Sequence, residues 1–183
     1  MGTKPVLVVK IIDVDGVQVS DSLAQISDDI FGTNNDPINV VSQFEECSMG
    51  KLTIVPGQLP NGVAPSVMPS PGVITVNLNI PLNGTTDGDI LNAAKTAVKN
   101  KLSLSSLPGP YQQVMFIKKG CYPNQCPYAA YAYYNRWDSV YREPYHKHVS
   151  LCVSVCILDT YHTHHSCPSF SLPFLLTACS CHS

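Results

Sequence analysis

Apolar and β-branched residues occur along the chain in short runs separated by turn residues, which predicts five strands. The run at residues 6–13 is almost continuously apolar, so it is expected to form a central strand that is covered on both faces. Shorter apolar or alternating runs predict the other four strands, at residues 51–55, 73–78, 114–117 and 128–134.

Three further segments carry helical signals. The first, residues 20–31, is closed by Gly32, a residue that readily takes the left-handed conformation after a helix. In the second, Asp36 can act as the cap and Pro37 as the first helical residue, which predicts a helix over about residues 37–49. The third, residues 87–104, has one apolar face and begins at Asp87, which can cap it.

The interleaving of these elements predicts an α+β fold of the α/β sandwich type. We expect a mixed, twisted sheet of about five strands covered by two or three helices. The ordered pattern runs to about residue 145, so residues 1–145 are expected to form one domain. Residues 146–183 show no period of 2 or 3.6, and we expect them to be an irregular tail and not a folded domain.

Charge excludes two classes of partner. The formal net charge is -2 and no basic or acidic run is present, so neither nucleic acid nor an anionic membrane surface is an expected partner. No apolar stretch approaches the ~20 residues that span a bilayer. No signal peptide is visible at the N-terminus.

The tail has a different composition from the rest of the chain. From His146 onward lie all six histidines and five of the eight cysteines, but Asp159 is the one charged residue after Lys147. A metal site could be formed by His162, His164 and His165 with Cys156 and Cys167. The alternative, which we favour, is a chance cluster in an irregular segment, and translated intron or a shifted reading frame would explain such a tail.

Other candidate positions each have an ordinary structural explanation. Cys121 and Cys126 flank a Pro-Asn turn, so they can form a local disulfide in an oxidising compartment or remain thiols. Asn83 begins a glycosylation sequon, although Asn-Gly is also a common turn. Cys47 is expected to be a buried thiol. Four acidic residues could suggest calcium but lack the spacing of a calcium loop and are expected to be caps and turn residues: Asp13, Asp15, Asp28 and Asp29.

Three segments together resemble the gametolysin family of secreted zinc metallopeptidases. They are Val-Leu-Val-Val-Lys-Ile-Ile-Asp at 6–13, the block at 27–32 and 38–52 that ends in Phe-Glu-Glu-Cys-Ser-Met-Gly-Lys-Leu, and Ala-Tyr-Ala-Tyr-Tyr-Asn-Arg-Trp-Asp-Ser-Val-Tyr at 130–141. The resemblance implies the N-terminal subdomain of a metzincin-like peptidase. It also implies zinc as the cofactor of the intact family, extracellular matrix proteins or peptides as substrates, and secretion.

The family's zinc helix is not found where the resemblance places it. A His-Glu-x-x-His run is expected soon after Trp137 to Tyr141, because residues four apart on a helix can bind zinc together while the glutamate activates water. The only glutamates are Glu45, Glu46 and Glu143, and none follows a histidine. No catalytic, cofactor-binding or metal-binding residue can therefore be transferred, and we expect an inactive, truncated peptidase fragment that holds no zinc.

Two other classes of function remain open. The chain could be a non-catalytic peptide-binding module that uses strand addition. It could also be a small Cys/His metal-binding protein. The peptide-binding module would need a groove, and the resemblance implies that a strand near residues 128–134 follows the substrate cleft. A packed edge strand is the favoured alternative. The aromatic candidates for such a groove are Tyr128, Tyr131, Tyr133, Tyr134, Trp137 and Tyr141.

Overall fold

A computed structural model describes residues 2–120, 130–132 and 136–143, and the structural statements below concern these residues. The elements in chain order are β1 (Gly2–Ile12), α1 (Leu23–Phe31), α2 (Val40–Cys47), β2 (Leu52–Pro56), a short 3-10 turn (Pro65–Val67), β3 (Val73–Asn77), α3 (Asp87–Leu102), β4 (Gln113–Lys118), β5 (Ala130–Ala132) and β6 (Asp138–Arg142). The predicted class is confirmed: a mixed sheet is combined with three helices.

The sheet is organised around β1, which has partners on both edges. One edge pairs with β2 through residues 2–6 and with β3 through residues 8–12, while the other edge pairs with β4. All three pairings are parallel. The sheet continues through β6, parallel to β4, and ends at β5, which is antiparallel to β6. The predicted central strand is therefore central in the structure.

Helices cover both faces of this sheet. Leu7, Val9 and Ile11 of β1 face α3 in one buried cluster, and Val6 and Val8 belong to a second cluster on the side of α1 and α2. Side chains on both faces of β1 are buried, and burying a large apolar side chain stabilises the fold by ~1.5–3 kcal/mol. β1 therefore needs apolar residues at nearly every position. This explains the unbroken apolar run from which the strand was predicted.

The end of α1 was predicted correctly, but the cap positions of α2 and α3 were wrong. Gly32 ends α1 with φ of 65°. Helix α2 begins at Val40 and not at Pro37, because Asn39 is its cap and its side chain accepts a hydrogen bond from the Ser42 backbone N–H. The cap of α3 is Thr86 in place of Asp87.

One strand was missed. β6 contains only two apolar residues among five and carries Asp138 and Arg142 at its ends, so no strand pattern is visible in its sequence. It forms because β4 and β5 pair with it on either side. Of the predicted strand at 128–134 the structure describes Ala130–Ala132, and the predicted tail lies outside the described residues.

The acidic residues near the strand and helix ends organise turns. Asp13 Oδ1 accepts hydrogen bonds from the backbone N–H groups of Asp15 and Val17, at 2.9 and 2.7 Å. Its second oxygen accepts one from the Leu82 N–H at 2.9 Å. Asp13 thus closes the turn after β1 and also tethers the segment that follows β3. These contacts are those of the turn residue predicted from the sequence.

The approach to β3 leaves no room for a side chain, which gives a test of the fold. Gly72 has φ of 71°, and a Cβ there would lie 2.6 Å from the Phe31 ring and 3.0 Å from Pro56 Cα. Gly50 has φ of 73° but nothing within 4 Å of the equivalent position. Both Gly→Ala substitutions should cost ~1–2 kcal/mol of backbone strain, and Gly72→Ala should cost ~1–3 kcal/mol more because of the clash.

Chemical denaturation of the two variants measures this difference directly, since the strain from positive φ is common to both. Equal losses of unfolding free energy for Gly72→Ala and Gly50→Ala would show that α1 does not pack against the β3 turn as described.

Candidate functional site: the cleft between helix α3 and edge strand β5

An open cleft of about 460 Å³ lies between α3 and the β5 edge of the sheet. One wall is formed by the first turns of α3. The other is formed by β5 and by Arg136, which lies two residues before β6. The lining residues are Asp87, Gly88, Leu91, Asn92, Lys95, Tyr131 and Arg136. The cleft is therefore built from segments that lie far apart in the sequence.

The position of each wall follows from the packing. α3 buries Ile90, Leu91 and Ala94 against the sheet, so the adjoining helical positions form the rim of the cleft. In β5, the pairing of Tyr131 with Val140 places Tyr131 on the α3 side of the sheet, where it is half-buried against the same core cluster. Tyr131 thus forms part of the cleft wall that faces the helix.

A buried carboxylate lies behind the cleft wall. Asp138 is 3% exposed and accepts two hydrogen bonds from Arg136, from Nε at 2.8 Å and Nη2 at 2.9 Å. Lys95 Nζ lies 2.6 Å from its Oδ2 and 5.0 Å from the centre of the Trp137 ring. Burial alone would raise the pKa of Asp138, but the hydrogen bonds and charges of Arg136 and Lys95 outweigh it and lower the pKa below its ordinary value of 3.8.

A second ion pair joins the helix to the sheet. Lys118 at the end of β4 has a side chain only 2% exposed, and its ammonium binds the carboxylate of Asp87 in the first turn of α3. That carboxylate also lies at the positive end of the helix dipole. The pair fixes the N-terminus of α3 beside the carboxyl end of β4.

A separate polar cluster lies on the other face, at the carboxyl ends of β1, β4 and β6. Glu143 accepts hydrogen bonds from the Ser20 backbone N–H at 2.9 Å, from the Ser20 hydroxyl and from Lys119. Burial would raise the pKa of Glu143, but these three contacts lower it to about 2.

Lys10 is a buried neighbour in this cluster. Its ammonium donates to the Asp21 carbonyl at 2.7 Å. Burial lowers the pKa of Lys10, and the charges of Asp21 and Glu143 partly oppose that effect. The contacts of Lys10 and Glu143 join β1, the segment before α1 and the residues that follow β4 and β6, so the cluster holds the strand ends together.

The aromatic candidates are divided by the structure. Tyr131 lines the cleft, and Trp137 packs against the α3-side core. Tyr141 is 1% exposed in the core cluster on the opposite face, so it cannot line this cleft. The remaining three, Tyr128, Tyr133 and Tyr134, lie outside the described residues.

Zinc does not fit the described residues. Every histidine in the sequence lies at or beyond position 146, outside the described ranges. Cys121 and Cys126 also lie outside these ranges, in the gap at 121–129. Residues 2–120, 130–132 and 136–143 contain no group of three His, Cys, Asp or Glu side chains that could hold a metal ion. The proposed cluster at His162, His164 and His165 and the Cys121–Cys126 disulfide therefore remain predictions. Of Cys47, only its place at the end of α2 is described.

Asn83 is exposed in a turn where Gly84 has φ of 78°, so the turn conformation is present and glycosylation stays a prediction.

In the part of the chain that the structure describes, no helix combines the length and apolarity needed to cross a membrane.

Sequence reasoning missed most of the cleft. Asp87 was assigned only a capping role, and neither Lys95 nor Asp138 belongs to a recognisable motif. The one local signal was Arg136-x-Asp138, in which residues two apart in extended chain lie on the same side. The contact with Lys95 depends on the packing of α3 over the sheet and has no sequence signature.

No protein family model, curated protein or solved structure matches this chain. The likeness to gametolysin therefore rests on the three segments at 6–13, 27–52 and 130–141.

The polar cluster around Glu143, at the carboxyl ends of β1, β4 and β6, predicts a loss of stability in acid. The pKa of Glu143 falls from 4.5 to about 2 on folding, so its contribution is complete above pH ~4.5 and disappears as the pH falls towards 2. Glu143→Gln should therefore be less stable than the parent protein at neutral pH, and the two should converge near pH 2.

Urea unfolding at a series of pH values provides the measurement. Glu45→Gln is the control, because Glu45 is exposed on α2 and should leave stability nearly unchanged. A stability difference for Glu143→Gln that stays constant between neutral pH and pH 2 would contradict the assignment.

Proposed function

We propose that this chain is the substrate-supporting part of a gametolysin-like zinc metallopeptidase domain, and that it holds an extended peptide along β5 without cleaving it. The observation that carries the proposal is the antiparallel edge strand beside an open cleft.

The position of β5 supports strand addition. Among the described residues, β5 pairs with β6 alone and ends the sheet. An edge strand presents backbone N–H and C=O groups to an incoming chain, which is how many domains hold extended peptides. The family resemblance implies a cleft strand in this same part of the sequence.

The cleft supplies a surface for side chains. A peptide added to β5 would direct alternate side chains to the α3 side of the sheet, because side chains alternate along a strand. On that side lie Leu91 and Tyr131 as apolar contacts and Lys95 and Arg136 as charged ones. Backbone pairing would provide affinity, and the cleft would select the side chains.

The sequence contains no motif that would support cleavage of the bound peptide. Zinc-dependent hydrolysis requires rigidly held imidazoles, an open metal position and a carboxylate that takes a proton from water. The 183 residues contain no His-Glu-x-x-His run, and their only acid beyond Glu143 is Asp159. The proposal therefore separates binding from chemistry.

The same cleft would serve a peptide-binding module unrelated to any peptidase. Genomic sequence distinguishes the two: codons for a His-Glu-x-x-His helix downstream of this region favour the peptidase relationship, and their absence favours the independent module.

We predict that the purified chain shows no zinc-dependent peptidase activity. Without the metal site or the base, the reaction loses several powers of ten in rate. Hydrolysis of gelatin and of a quenched peptide should stay at the blank level with added zinc, with or without a chelator. A known zinc peptidase assayed in parallel is the positive control.

Chelator-sensitive turnover that disappears in His162→Ala, His164→Ala or His165→Ala would overturn this prediction, because it would place a working metal site in the tail.

If a peptide binds by strand addition, blocking its backbone N–H groups should weaken binding with a period of two residues. A fluorescein-labelled peptide without proline should bind, and N-methylation of its backbone should weaken binding at every second position. Only alternate N–H groups of an added strand face its neighbour, so the loss should have a period of two. Fluorescence polarisation measures the affinities. A uniform or absent effect of N-methylation would rule out strand addition.

A further inference from the structure

We infer that the peptide selected along β5 carries an acidic side chain, which binds at the Lys95 and Arg136 end of the cleft. This inference rests on the proposed peptide-binding function and adds the chemical class of its ligand.

The charge balance of the cleft supports an anionic ligand. The charged residues that line the cleft are the two cations Lys95 and Arg136 and the carboxylate Asp87, and Asp138 and Lys118 lie behind them as ion-pair partners. Asp87 and Lys118 neutralise each other at one end. The excess positive charge is therefore at the other end, where two cations share Asp138.

One cation would be sufficient to neutralise Asp138. Arg136 already binds both of its oxygens in a bidentate arrangement, which is the strongest geometry for a guanidinium and a carboxylate. Lys95 adds a second positive charge on the same carboxylate from the opposite wall of the cleft. The surplus is thus a feature of the arrangement and not a requirement of burying Asp138.

Lys95 retains the capacity to bind another carboxylate. An ammonium group has three N–H donors, and Asp138 accepts one of them. The side chain is 17% exposed, and its ammonium lies near the face of Trp137, which screens one side from water. A carboxylate entering the cleft would meet a partly desolvated cation, where an ion pair is stronger than on an open surface.

Strand β5 leaves this balance unchanged. β5 itself, Ala130–Ala132, contains no charged side chain, and Tyr131 is its residue in the cleft lining. The β5 wall of the cleft is therefore neutral, and the selection of charge comes from α3 and from the segment that begins β6.

The experiment compares three labelled peptides that differ at one central position, which is Glu, Gln or Lys. The probes are otherwise identical and contain no proline. We expect the Glu peptide to bind about threefold more tightly than the Gln peptide and the Lys peptide to bind most weakly, in line with one partly exposed ion pair. The preference should shrink as salt is raised, because added ions screen the pair.

Lys95→Gln provides the matched variant. It removes the surplus charge but leaves the bidentate contact between Arg136 and Asp138, so the protein should fold, and its affinities for the Glu and Gln peptides are compared side by side. The Glu and Gln peptides should then bind this variant with about equal affinity. If Lys95→Gln fails to fold, Asn92→Lys replaces it: added positive charge at the cleft rim should increase the preference for Glu.

The outcomes separate this inference from the function on which it rests. Binding of the Gln peptide with the alternating effect of N-methylation, but with no preference for Glu, would overturn the acidic selectivity and leave strand addition in place. Failure of all three peptides to bind would reject both. A Glu preference that is insensitive to salt and to Lys95→Gln would also overturn the inference, because it would place the acidic group elsewhere.

Discussion

The fold depends on the burial of β1 on both faces and its pairing along both edges. No other described strand meets both demands over so many residues, because β1 contributes to both core clusters and pairs with β2 and β3 on one edge and with β4 on the other. Leu7, Val8 and Val9 have no exposed surface. A polar residue at any of these positions would leave its hydrogen-bonding groups unpaired against a helix layer, whichever face it occupied.

The elements that could be predicted were those whose signal is local. The apolar run of β1, the glycine after α1 and the apolar face of α3 each follow from short-range rules, and each was located within a few residues. β6 could not be predicted in this way, because its buried polar residues, Asp138 and Ser139, are compatible with a strand only when partners from elsewhere satisfy them. Asp36-Pro37 misled for a related reason: Asp36 closes a turn onto the Ile38 N–H, and Asn39 caps the helix that follows.

The candidate site was less predictable than the fold because it consists almost entirely of long-range contacts. Lys95, on a helix, and Asp138, on a strand, come together through the packing of two layers. The same holds for Asp87 and Lys118. These pairs also show how the cleft keeps its shape: each joins α3 to the sheet through a group that is nearly inaccessible to water, so separation of the helix from the sheet would break a buried ion pair.

The shared edge of β1 makes β2 and β3 parts of one interrupted strand. Residues 52–56 and 73–77 continue the same register along β1, and the Gly57 N–H and Gly72 carbonyl bond to Val6 and Val8 on either side of the break. The polypeptide between them leaves the sheet and returns to it almost at the point of departure. Its length is therefore not set by the sheet, and the loop is a natural place for the chain to accept insertions. Two side chains from outside the loop anchor it: the Tyr111 hydroxyl donates to the Gln58 carbonyl, and the Ser27 hydroxyl donates to the Pro71 carbonyl. Apolar residues of the loop also pack on the α3-side core.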